Sequence, residues 1–111
     1  MDDVARYRSL IRETIERYSQ FKRARGDVEI EVIFDEANDH YELMHSGWNG
    51  RYRIHGSVIH IDIRNEKIII QFDGTPDAIA DQFVAAGVPA DRIVLAYKAP
   101  EIRPYTGFAV S

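Results

Sequence analysis

The spacing of apolar residues changes once and sharply near Gly26, and this constrains the fold more than any other feature of the chain. Before it, Val4, Tyr7, Leu10, Ile11, Ile15, Tyr18 and Phe21 recur at steps of three and four, the period of a helix with one buried stripe. The stripe predicts a helix from Asp3 to Lys22, with Asp2 or Asp3 as its cap and Arg25-Gly26-Asp27 as its stop. After it the period becomes two. Val28, Ile30, Val32 and Phe34 predict one face of a half-buried strand, and Glu36-Ala37-Asn38-Asp39 turns the chain. A second strand carries Tyr41, Leu43 and His45 on one face and His40, Glu42 and Met44 on the other, up to the reversal at Gly47-Trp48-Asn49-Gly50. From Arg51 to Arg64 a long third strand points Ile59, Ile61 and Ile63 at the core, with Ile54, Gly56, Val58, His60 and Asp62 opposite. Asn65-Glu66 makes a tight turn without the usual glycine, and Lys67–Asp73 closes the meander with Ile68, Ile70 and Phe72 on one side.

Beyond the meander, Thr75 is the expected N-cap of a second helix, with Pro76 at its first position and Asp77 at the positive end of its dipole. Ile79, Ala80, Phe83 and Val84 form its packing face, and Gly87 with Pro89 stops it. Ile93–Tyr97 reads as a short final strand, and Pro100 and Pro104 punctuate an extended C-terminal tail too apolar to dangle. The expectation is a single α+β domain over residues 1–111: an N-terminal helix, a four-stranded antiparallel meander, a second helix, a short final strand and the tail.

Composition narrows the chemistry. With no cysteine there is no disulfide, thiolate metal site or cysteine nucleophile, usage that suits a reducing cytoplasm. Apolar runs such as Ile68-Ile69-Ile70 fall far short of the about 20 residues a bilayer requires, so a cytoplasmic protein is expected. Net charge is −4, which lacks the signature of a general nucleic-acid binder. It is unevenly spread: residues 1–25 hold seven cations against four acids, and the rest seven against fourteen. Asp27 to Glu42 contains seven acids and no lysine or arginine. Attraction between a basic helix and an acidic hairpin is one account, and a charged partner meeting Arg8 and Arg12 is the other. A DNA-binding factor using this basic helix is the alternative function.

His60 and Asp62 share a strand face and could chelate a metal with His45 or His55 from nearby, as a metal-dependent hydrolase would require. No established ligand spacing supports them, so cross-strand hydrogen bonding is expected, with no metal, cofactor or catalytic set. Glu29 and Glu31 share a strand face and could serve as a general acid and base or clamp Mg²⁺, yet solvent-facing glutamates are equally natural there and no lysine stands beside them. Asp73-Gly74-Thr75 is better suited to capping than to phosphate, since Asp73 and Asp77 would repel an anion. No G-x-S-x-G elbow accompanies the serines. Trp48 in its turn and Tyr105 and Phe108 in the tail either pack or anchor a partner. Open sheet edges suggest a homodimer.

Several stretches, taken together, resemble the XisI-like family of fdxN element excision controlling factors. They are Val32-Ile33-Phe34-Asp35, Asp39-His40-Tyr41, Gly47-Trp48, Arg53-Ile54-His55-Gly56, Ile59-His60-Ile61-Asp62-Ile63, Gln71 with Asp73-Gly74-Thr75, Gly87-Val88-Pro89 and Thr106-Gly107-Phe108-Ala109-Val110. They run in family order from the first helix to the end. Ile69 stands where the family usually has tryptophan, and Ser57 where it often has cysteine. The resemblance implies a non-enzymatic accessory factor in programmed DNA rearrangement of the kind seen in heterocyst differentiation. It would act beside an XisH-like protein of nuclease-like character and a separate site-specific recombinase. It carries no residue assignments.

Overall fold

A computed structural model describes residues 3–21 and 27–111. The expected cap Asp2, the stop at Arg25-Gly26, and the cations Lys22, Arg23 and Arg25 lie outside the described residues. Helix α1 spans Asp3–Ser19 and buries Tyr7, Ile11, Thr14 and Ile15. The Thr14 hydroxyl is satisfied in the core by donating to the Leu10 carbonyl at 2.8 Å. The helix ends earlier than its apolar stripe, so Phe21 falls beyond the last turn and stays 64% exposed.

Strands β1 (Asp27–Asp35), β2 (His40–Asn49), β3 (Tyr52–Arg64) and β4 (Lys67–Asp73) form the expected antiparallel meander. Helix α2 (Ile79–Ala85) then carries the chain across to β5 (Ile93–Leu95), which lies parallel to β4 and makes the sheet five-stranded and mixed. The tail continues this edge: the Ala109 N–H donates to the Ile93 carbonyl at 2.9 Å, and Val94 and Ala109 form a bridge. Both helices pack on one face, where Tyr7, Ile11 and Ile15 of α1 and Ile79 and Phe83 of α2 join Tyr41, Leu43, Ile59, Ile61, Ile68, Ile70 and Ile93 in one core. No described helix covers the other face. No described helix is long and apolar enough to cross a membrane.

Two irregularities decide which side chains reach which face. The β2–β3 register slips between Leu43, opposite Ile59, and Met44, opposite Ser57, leaving Val58 as an extra residue. Pairing places Ile54 and Gly56 opposite Gly47 and His45, on the side of Leu43, rather than on the open side with His60 and Asp62. Val58 itself packs against the core. A second slip between β3 and β4 leaves Gln71 as the extra residue, so Phe72 pairs with His60 and is 46% exposed instead of buried with Ile68 and Ile70.

The second helix also starts differently. Its flanking residue is Ala78, at φ 49°, and Thr75 does not cap it. Asp73 does that work from further back: one carboxylate oxygen accepts from the Ile79 N–H at 2.9 Å, and the other accepts from the Thr75 N–H and hydroxyl. The far end follows expectation. Gly87 at φ 101° donates to the Val84 carbonyl, and the Val88 N–H reaches the Phe83 carbonyl, the paired bonds of a Schellman ending. Val88 and Phe83 are both buried there, while Val84 on the expected packing face is 41% exposed.

Candidate functional site

The basic face of α1 meets the β1–β2 turn. Arg8 clamps Asp39 through two hydrogen bonds of 2.8 and 3.1 Å, and the Tyr41 hydroxyl donates to the same carboxylate at 2.8 Å. Arg12 reaches Glu36 at 2.6 Å and lies 5.5 Å from the centre of the Phe34 ring. Hydrogen bonding from the Arg8 guanidinium holds the Asp39 carboxyl below the usual range despite partial burial. Burial and that carboxylate push the Tyr41 hydroxyl up to about 12. Both arginines named as partner contacts are thus joined to acids of their own chain.

On the open face, the polar residues of β2, β3 and β4 converge on Asp62, whose side chain is 2% exposed. His40 Nδ1 lies 2.7 Å from Asp62 Oδ1, and His60 Nε2 lies 3.1 Å from the same oxygen. The other oxygen, Oδ2, accepts from Gln71 Nε2 at 3.1 Å and Arg64 Nη2 at 3.3 Å. Burial raises the Asp62 carboxyl, but hydrogen bonds from His40 and Gln71 and the nearby imidazoles prevail, and it stands below its ordinary value. The bond to Asp62 raises His40 in turn. Among the described residues, His40, His60 and Asp62 are the single group of three metal-ligating side chains within reach of one another.

Sequence reasoning paired His60 with Asp62 but missed His40. It looked instead to His45 and His55, which the fold sends elsewhere. His45 lines a cleft on the helical side with Tyr18, Phe21, Leu43 and Val58, and His55 lies 3.4 Å from the Ser46 hydroxyl. The signal for His40 was its place on the face shared with Glu42. Register counted back from the Gly50 turn sets Ile61 against it, and only the extra Val58 brings Asp62 opposite.

The remaining candidates are dispersed. Trp48 is half exposed near the β2–β3 turn, with the Arg53 guanidinium 5.4 Å from its ring centre. Tyr105 is 86% exposed, whereas Phe108 packs partly against the core. Arg103 holds the tail by donating to the carbonyls of Ala96, Lys98 and Val110. Glu29 and Glu31 lie exposed on β1. A cleft of about 520 Å³ between the helices is lined by Glu13, Arg17, Tyr18, Asp77 and Gln82, and its side chains bond one another.

Comparison with known proteins agrees over the whole chain. The family model described as XisI protein matches residues 1–110. A solved XisI-like protein from Anabaena variabilis ATCC 29413 is 36% identical, with 96% of this chain and 98% of that one covered and a TM-score of 0.90. The fdxN element excision controlling factor XisI of the same organism is 33% identical over 99% of this chain and 100% of its own, with a TM-score of 0.88. Identity at this level along full length, joined to the same fold, is decisive: the chain belongs to the XisI family.

Proposed function

We propose that this protein is a cytoplasmic control factor for excision of a DNA element, without catalysis of its own, acting through protein contacts with an XisH-like partner and a separate site-specific recombinase. The observation that carries the reading is its full-length similarity to a solved protein described as an fdxN element excision controlling factor. The disposition of charge supports protein contacts over phosphate binding, because Arg8 and Arg12 are engaged by Asp39 and Glu36. The exposed Trp48 and Tyr105 offer anchors of the kind that dominate protein interfaces.

Co-expression with an XisH-like protein tests this. The two are expected to co-purify at moderate salt, and Trp48→Ala together with Tyr105→Ala is expected to weaken the complex at least about tenfold. Separation of the unaltered pair under those conditions would count against the reading, as would tight, salt-sensitive binding of DNA by the isolated chain.

A further inference from the structure

The Asp62 cluster brings three side chains of metal-ligating type together. A tetrahedral zinc takes imidazole nitrogen and carboxylate oxygen at about 2.0–2.2 Å, which places neighbouring ligand atoms about 3.3 Å apart. His60 Nε2 and Asp62 Oδ1 are already 3.1 Å apart, and His40 Nδ1 needs to retreat only slightly from 2.7 Å. All three ligand atoms lie within 4.8 Å of one another.

The surroundings complete the arrangement. Gln71 and Arg64 hold Oδ2 and so fix the carboxylate with Oδ1 turned to the two rings. The second nitrogen of His60 lies 3.7 Å from Glu42 Oε1, just beyond hydrogen-bond length, so a small side-chain shift would let that carboxylate act as the outer partner of a zinc-bound histidine. Asp62, Glu42 and Asp35, which is paired with His40 across the strands, outnumber Arg64 as local charges. Both rings are partly open to solvent, at 47% and 33% side-chain exposure, so an ion can enter and keep one coordination position outward.

We infer that His40, His60 and Asp62 form a binding site for one zinc ion, clasping β2 to β3 on the face opposite the helices. Two imidazoles and one carboxylate select zinc over magnesium and calcium, which require oxygen donors. The inference is independent of the excision reading and is tested on the isolated chain.

Tag-free protein titrated with zinc chloride against a chromophoric zinc indicator is expected to take up one ion per chain, with a higher melting temperature in zinc and no response to millimolar magnesium. His40→Gln and His60→Gln are each expected to weaken uptake at least about tenfold, because loss of even an outer partner costs that much. His55→Gln is expected to leave it unchanged. On the unaltered chain, zinc is expected to protect His40 and His60 from diethylpyrocarbonate while His55 continues to react, a readout that needs no variant to fold. Absence of uptake by the unaltered chain overturns the site, as does uptake that persists in the His40→Gln/His60→Gln double variant or protection that includes neither ring.

Discussion

Among the described residues, four other than glycine have positive φ, and each marks a place where the chain bends sharply. Asn65 at 51° and Glu66 at 62° make the turn between β3 and β4 in the left-handed region suited to a two-residue hairpin. Asparagine offsets the clash of its Cβ with the following carbonyl through its short polar side chain, whereas glutamate bears that cost of about 1–2 kcal/mol undiminished. Glu66 recovers little through Arg92, 3.9 Å away at an exposed position. Glu66→Gly is therefore expected to stabilise the protein by about 1 kcal/mol, read as a melting temperature several degrees higher. The turn was legible from the pattern of apolar residues on either side, but not the left-handed backbone that Glu66 adopts in it. The cap of α2 was not legible in the same way: Thr75 has the right chemistry and distance, but Asp73 reaches the Ile79 N–H because Ala78, at φ 49°, bends the intervening chain back.

At the scale of elements, α1 is held to the first hairpin by Arg8 and Asp39 as well as by its apolar stripe. The folded Asp39 carboxyl lies below its ordinary value, so its contribution is present above the ordinary carboxylate range and is lost as pH falls through the depressed folded value. Asp39→Asn is expected to lower the melting temperature at pH 7 and to flatten its decline between pH 5 and pH 2 compared with the unaltered protein. Equal acid sensitivity in the two proteins would place the linkage elsewhere. The elements themselves were legible because each follows its own period. What the alternation hid was the pair of extra residues at Val58 and Gln71. A hint of the first was present: Ile54 falls out of step with Ile59, Ile61 and Ile63, so one regular strand cannot turn all four toward the helices. The second left no such sign, and Phe72 was assigned to the wrong face. Half of the histidine cluster was hidden for the same reason, since it exists only after the register has slipped.

Across the whole molecule, both helices crowd one face and the sheet ends in two unlike margins. At one, the tail adds its Ala109 bridge beside β5. At the other, β1 pairs among the described residues with β2 alone and shows Val32 and Ile33 at 39% and 45% exposure, apolar groups that favour further pairing. Asp27, Glu29, Glu31 and Asp35 alternate along that strand on the open side. Two copies joined antiparallel through β1 would bring carboxylate toward carboxylate about any centre near the middle of the strand, so a homodimer is better served by another surface. Replacing Glu29 and Glu31 with threonine keeps strand propensity and removes the repulsion. The double variant is expected to show a larger mass by light scattering at pH 7, and an unchanged mass would mean that these charges do not restrain the edge. The consequence is a sheet built to resist growth by accretion: one border is hemmed by the tail around Ala109 and the other is fenced by like charge, with no described helix needed along the rim.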